Sequence, residues 1–216
     1  MITPAMERYL AAIFRLQQMT PELTISDLAH HLDVSLPAVS TMIQRLEKQR
    51  LVERTQERGL TLSAEGQQRA MPIIRRYLLA EVFLNDVMRF AWEEAHTLAY
   101  TLFQGVNQTI EDRIDELTGS PAFTRRGEPI PTRDGVLPII EDVALGELQP
   151  GEQGTISRIQ ISDPDRLRYL SELGLLPQKP VELVSAAPFE GPITLRCAGQ
   201  DCVISFEMAG CIRVRR

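Results

Sequence analysis

The stretch Thr24-Ile25-Ser26-Asp27-Leu28-Ala29-His30-His31-Leu32-Asp33-Val34-Ser35-Leu36-Pro37-Ala38-Val39-Ser40-Thr41-Met42-Ile43-Gln44-Arg45-Leu46 decides the fold of this 216-residue chain. Thr24 with Asp27 three residues on resembles a capping box with Asp in place of Glu, and Ile25, Leu28, Ala29 and Leu32 then supply one short apolar face. This predicts a helix of barely two turns. After Asp33-Val34, Ser35 is a good N-cap and Pro37 is tolerated in a first turn, while Val39, Met42, Ile43 and Leu46 continue at helical spacing. Two helices therefore follow one another across a turn of a few residues.

Toward the N-terminus, Met6, Tyr9, Leu10, Ile13 and Leu16 recur at spacings of three and four, which predicts an amphipathic helix ending near Thr20-Pro21. Toward the C-terminus, Leu51–Thr55 and Leu60–Ser63 are short apolar-alternating runs joined by Gln56-Glu57-Arg58-Gly59, the pattern of a small hairpin. Helix, helix, turn, helix, hairpin is the order of a winged helix-turn-helix. Such a unit sets its second helix into the major groove of duplex DNA while the hairpin meets phosphates.

The groove-facing positions are those off the apolar stripe: Ser35, Leu36, Pro37, Ala38, Ser40, Thr41, Gln44 and Arg45. Gln44 can address an adenine edge, Ser40 and Thr41 base edges or phosphates, and Ala38 a thymine methyl. Arg54 and Arg58 are placed for phosphate, with Lys48 and Arg50 extending the positive edge. Glu47, Glu53 and Glu57 lie among them, so the order of elements carries more weight than the charge pattern.

Beyond the hairpin, two apolar periodic segments, roughly 64–89 and 92–117, predict long helices. Pro72 sits in the first, so a bend or restart is expected near Met71. Ala95, Leu98, Ala99, Leu102, Val106, Ile110, Ile114 and Leu117 form a stripe too long to bury against a small winged helix. A dimerisation layer accounts for it, an ordinary helical core being the alternative. Pro, Gly, Arg and Asp then dominate 119–147, which reads as a linker. Five short β-like runs (154–161, 181–184, 193–196, 203–206 and 212–214) and a helical piece at 166–173 suit a small closed barrel of SH3-like type. The expected class is mainly α with small β. Its parts are a winged helix-turn-helix at 1–65, a helical dimerisation domain at 66–119, a linker at 120–146 and an SH3-like β-barrel at 147–216.

A formal net charge of -6 argues against indiscriminate coating of nucleic acid, though not against a local basic reading edge. No run of about 18 apolar residues is present, and the start lacks the features of a secretory signal, so no membrane association and a cytoplasmic setting are expected. Cys197, Cys202 and Cys211 are odd in number and clustered, unlike a secreted disulfide framework. No nucleophile-base pair, phosphate loop or paired catalytic carboxylates point to an enzyme.

Several motifs, in order, resemble the diphtheria-toxin-repressor (DtxR/MntR) family of iron- and manganese-dependent regulators. They are Thr3–Leu10, Ser26–Ala29 with Ser35–Ser40, Arg58–Ser63, Arg75–Glu81 and the linker Gly127-Glu128-Pro129-Ile130-Pro131. Leu148–Glu152, Leu173–Pro177 and Gly191–Ile193 resemble a FeoA-type domain. The resemblance implies a homodimeric repressor that binds Fe²⁺ or Mn²⁺ and occupies palindromic operators in double-stranded DNA.

At the matching ligand positions Glu81 and His96 are kept, and Asp163 supplies a carboxylate in the last domain. Others differ: Arg8 stands for Met or Asp, Tyr77 for His, and Tyr100, Phe103 and Gln104 for Cys or Glu, Glu and His. Positions 96, 100, 103 and 104 share a helical face, leaving Glu81, His96, Gln104 and Asp163 as the metal candidates. Glu81 could instead pair with Arg8. The rival readings are an orthodox metal-responsive repressor with ligands moved to Glu93, Glu94, Glu111 or Asp115, and an interaction scaffold without specific DNA binding.

Overall fold

The computed structural model describes residues 2–20, 22–57 and 59–216. Met1, Pro21 and Arg58 lie outside them, and with them the expected helix end at Pro21 and the expected phosphate contact of Arg58. The chain forms two compact units, one running to Arg76 and including Pro131–Leu137, the other comprising Tyr77–Ile130 and Pro138–Arg216.

In the first unit, α1 (Pro4–Leu16) starts at Thr3, whose hydroxyl accepts from the Met6 N–H, and ends at Leu16, the last residue of its apolar series, short of the end expected near Thr20. α2 (Ile25–Leu32) carries both halves of the expected capping box: Asp27 N–H donates to Thr24 Oγ1, and Thr24 N–H to Asp27 Oδ2. Asp33 ends it in the left-handed region, and α3 (Leu36–Lys48) begins after Val34 and Ser35. Ser35 occupies the N-cap position, but its hydroxyl makes no cap bond. Leu28, Leu32, Val39, Ile43 and Leu46 are buried, so the two helices are fixed by one shared apolar seam.

β1 (Val52–Thr55) and β2 (Gly59–Leu62) pair antiparallel, with the buried Val52 opposite the buried Leu62. Gly59 has φ 63°, and a Cβ there would stand 2.4 Å from the Leu23 carbonyl oxygen, so the close approach of the hairpin to that backbone requires glycine.

Between the hairpin and the second unit, α4 (Ala64–Asp86) runs without a break, contrary to the restart expected at Pro72. The proline lies on the exposed face and the bond it deletes would have ended on exposed Gln68, where water can satisfy the carbonyl. The two units divide within this helix, between Arg76 and Tyr77.

In the second unit the single long stripe expected for 92–117 is divided. α5 (Trp92–Leu102) passes into a 3₁₀ turn at Phe103–Gly105, and α6 (Gln108–Leu117) restarts at Asn107, whose side-chain oxygen accepts from the Ile110 N–H. An N-cap residue two positions after a glycine is the local signal that periodicity overrode.

The sheet follows: β3 (Val143–Ala144), β4 (Gln153–Ile159), α7 (Pro164–Glu172), β5 (Pro180–Ala186), β6 (Ile193–Cys197), β7 (Gln200–Ile204), α8 (Phe206–Gly210) and β8 (Ile212–Arg215). β3 falls inside the stretch expected to be linker. Phe206, expected in a strand, opens α8, because Ser205 caps that helix through the Met208 N–H.

All pairings are antiparallel, in the order β3-β8-β4-β5-β6-β7. The expected closed barrel is therefore an open six-stranded sheet, since β3 pairs only Val143 and Ala144 with β8 and no pairing among the described residues joins it to β7. Irregularities at Ile156/Arg158 and Leu183/Ser185 interrupt its registers. Its core of Ile156, Ile159, Leu167, Leu170, Leu183, Leu195, Ile212 and Val214 also takes in Trp92 from α5.

Asp142 anchors the start of the sheet. Its carboxylate accepts from Ser157 Oγ (2.7 Å), Arg158 Nε (2.9 Å) and Arg213 Nε (3.0 Å), with its side chain 1% exposed. Burial would raise this carboxyl, but the hydrogen bonds from Arg158, Ser157 and Arg213 hold it below its ordinary 3.8. The stabilisation is thus present above that value and lost as pH falls through the lower folded value. Asp142→Asn should cost about 3 kcal/mol at neutral pH, toward the low end for a broken buried pair because both arginines are partly solvated. Urea melts at pH 7 and at acid pH would check this, the difference between wild type and variant shrinking in acid.

Candidate functional site

The face of α3 opposite its buried seam is polar and open. Ser35, Leu36, Pro37, Ala38, Thr41, Gln44 and Arg45 are exposed and Ser40 is half-buried. Leu36 is 51% exposed, an apolar side chain presented in the first helical turn rather than buried. Thr41 Oγ1 donates to the Pro37 carbonyl at 2.9 Å, which spends its proton and leaves its oxygen to accept.

Arg54 on β1 is exposed, and its Nε donates to Glu47 Oε1 of α3 at 2.9 Å. The ion pair ties the hairpin to α3 and partly offsets the positive charge expected there. His30 and His31 are both exposed on α2. Partial desolvation together with the charges of Arg15, His30 and Arg8 lowers His31 to about 4, so it adds no positive charge at neutral pH.

In the second unit, Glu81 and His96 are brought together. Glu81 on α4 is fully buried, and His96 Nδ1 on α5 lies 2.9 Å from its Oε2. Arg126, from the segment after α6, grips the same carboxylate with two nitrogens: Nε to Oε1 at 3.0 Å and Nη2 to Oε2 at 3.1 Å. Burial alone would raise the Glu81 carboxyl, but the Arg126 charge and the bonds from His96 and Arg126 hold it well below the usual carboxylate range.

With Glu81 ionised, the His96 Nδ1 must carry a proton to meet it. The Tyr77 hydroxyl, 2.8 Å from the same nitrogen, donates to the His96 carbonyl at 3.0 Å. Tyr77, Tyr100 and Phe103 form edge-to-face contacts, with centroids 5.9 Å apart for Tyr77–Phe103 and 5.6 Å for Tyr100–Phe103.

The remaining candidates lie apart from this centre. Gln104 is exposed in the 3₁₀ turn, its amide donating to the Tyr100 carbonyl. Asp163 is exposed and serves as the N-cap of α7, accepting from the Arg166 N–H at 2.9 Å. Among the described residues no group of three or more His, Cys, Asp or Glu side chains converges as a metal centre would require. Arg8, offered by the sequence as a partner for Glu81, donates to the Leu32 carbonyl within the first unit.

The residue that sequence reading passed over is Arg126. The available signal was indirect: Leu78-Leu79-Ala80-Glu81-Val82 sets a carboxylate in an apolar run, which demands a cation from elsewhere in the chain. Of the adjacent pair, Arg125 turns outward to Asp86 at 2.8 Å while Arg126 turns in.

Comparison with known proteins supplies the frame for both features. Residues 1–60 match the family described as iron dependent repressor, N-terminal DNA binding domain. Residues 63–132 match the iron dependent repressor metal binding and dimerisation domain, and residues 143–216 match the FeoA domain. An iron-dependent repressor IdeR of Mycobacterium bovis is 29% identical, over 97% of this chain and 96% of that protein. Among solved structures, a manganese-dependent transcriptional repressor in complex with manganese is 29% identical with a TM-score of 0.89, covering 97% of this chain and 98% of that one. The IdeR of T. acidophilum is 26% identical with a TM-score of 0.87, covering 99% and 98%. A DNA-binding domain, a dimerisation domain and a FeoA domain, matched in that order along the chain, place this protein in the iron-dependent repressor family to which the diphtheria toxin repressor belongs.

Proposed function

We propose that the protein is a transcriptional repressor that binds a palindromic operator in double-stranded DNA as a homodimer, in the cytoplasm, through α3 and the β1–β2 hairpin. The carrying observation is the exposed row Ser35, Leu36, Ala38, Thr41 and Gln44 on a helix whose opposite side is anchored by Val39, Ile43 and Leu46. A rigid helix with a polar, small-residue first half suits entry into a major groove. Leu36 and Ala38 are suited to thymine methyls, Gln44 to adenine, and Ser35, Ser40, Thr41 and Arg45 to phosphates or base edges, with Arg54 on β1 and, from its sequence position, Arg58 to phosphates.

The division into a winged helix-turn-helix at 1–65, a helical layer at 66–119, a linker at 120–146 and an SH3-like domain at 147–216 belongs to the same reading. Dimerisation through the helical layer is supported by large apolar side chains left exposed on its last two helices, Leu98 on α5 and Ile110 and Leu117 on α6.

The named relatives respond to iron or manganese, but the residues here do not fit such an ion. Both Glu81 oxygens already accept from Arg126, the His96 nitrogen facing them is protonated, and aromatic rings stand at Tyr77, Tyr100 and Phe103. Fe²⁺ and Mn²⁺ favour several anionic oxygens, whereas the carboxylate here is already gripped at both oxygens by a guanidinium whose positive charge would repel such an ion. The reading is of a repressor whose DNA affinity does not depend on a divalent metal.

Fluorescence anisotropy with DNA from upstream of the protein's own gene tests this, first in excess chelator and then with Mn²⁺ or Fe²⁺ under anaerobic conditions. Selective binding in chelator, unchanged by metal, is expected; binding that requires metal would overturn the metal-independent part. In the same assay Gln44→Ala should lose about tenfold in operator affinity with random DNA unaffected, whereas Arg58→Ala should weaken both and lower the salt slope by about one. Equal losses on operator and random DNA for both variants would remove the assigned division between base reading and phosphate contact.

A further inference from the structure

Two acceptors of the kind a cation attracts face one point of the interior, the Glu81 carboxylate and the main-chain carbonyl of Ile161. The cation present is the chain's own. Arg126 Nη1 donates to the Ile161 carbonyl at 3.0 Å, while Nε and Nη2 hold the two oxygens of Glu81. Its side chain is 3% exposed and that of Glu81 0%. We propose that Arg126 is a tethered substitute for a metal ion, which fastens the FeoA sheet to α4 and α5 without any bound ligand. This rests on the reading above only in assigning no divalent ion to the site.

Charge balance favours the guanidinium. Arg126 hydrogen-bonds the Glu81 carboxylate and feels the further negative charge of Glu128, so one guanidinium neutralises the buried carboxylate it touches, whereas a divalent ion held by that single carboxylate would bring a net positive charge into the interior. Shape favours it too. The planar fork of Arg meets both carboxylate oxygens and still reaches a third acceptor, which an ammonium on a flexible stem cannot do with the same geometry.

The segment around Arg126 is held as firmly as the side chain. The Arg126 carbonyl accepts from the Ile159 N–H at 2.8 Å, at the end of β4. The next residue, Gly127, has φ 80°, and a Cβ there would fall 2.0 Å from the Ser157 carbonyl oxygen. Arg126 thus joins α4 directly, α5 through His96, and the sheet through Ile159 and Ile161. Trp92 of α5, buried in the sheet core, adds an apolar contact to the same docking.

The test is chemical rescue of the full chain, read by thermal melting without DNA. Arg126→Ala should lower the melting temperature by about 10 °C, the shift expected when a buried carboxylate loses its partner in a chain of this size. Low-millimolar guanidinium chloride should restore a large part of that loss, saturably, while equal NaCl or urea should not, and the wild type should not gain. Glu81→Gln combined with Arg126→Met should melt near the wild type and gain nothing from guanidinium, since it has no buried charge to neutralise. Should Arg126→Ala not fold alone, its refolding yield with and without guanidinium gives the same readout.

A stability loss that guanidinium does not relieve would overturn the proposal and leave Arg126 as packing alone. Saturable stabilisation of the wild type by Mn²⁺ that vanishes in Glu81→Gln would overturn it equally. Failure to bind operator DNA would defeat the proposed function while leaving these melts as expected, so the two are separable.

Discussion

A carboxylate with no access to water must be neutralised where it lies, and Glu81 imposes that requirement on everything around it. Its position on the inward face of α4, between Ala80 and Val82, leaves the carboxylate no route to solvent. Arg126 answers from a segment without regular secondary structure, and in doing so gives that segment one conformation. Once Arg126 is fixed, the backbone beside it meets β4, and the sheet takes its place against α5. The order of dependence runs from one buried charge to the docking of a domain.

Around this centre the polar groups are matched rather than merely near one another. The proton on His96 Nδ1 faces an ionised oxygen, and the Tyr77 hydroxyl returns to the His96 main chain. A network satisfied in this way specifies one arrangement, because any shift of α4 against α5 would break a charged contact in a low-dielectric interior. The aromatic contacts of Tyr77, Tyr100 and Phe103 extend that rigidity along α5 into the turn that follows it.

The reading half of the molecule was legible from sequence because its signals are local. Capping residues at Thr24, an apolar seam at Val39, Ile43 and Leu46, and a glycine at the hairpin each act within a few positions of themselves. The helical layer was legible in outline only: the apolar spacing ran through Gly105 and Asn107, where a cap ends one helix and opens another. Closure of the sheet could not be read at all, since it depends on whether β3 is long enough to meet a strand far along the chain. The ionic centre is the clearest case. Glu81 and His96 were recognisable as a pair, but their cation lies 45 residues from Glu81, in a stretch whose composition reads as linker.

The Glu47–Arg54 pair has a bearing on how such a protein finds its site. Chromosomal DNA offers a vast excess of non-specific sequence, and a binder's share of free copies falls with every unpaired cation it turns toward phosphate. Here an acidic side chain of α3 already engages the arginine beside it on β1, on a chain whose formal net charge is -6. Weak attachment to random sequence leaves more copies in solution and shortens each unproductive stay. A regulator with that balance can respond to a change in its own abundance without first saturating the genome around its operator.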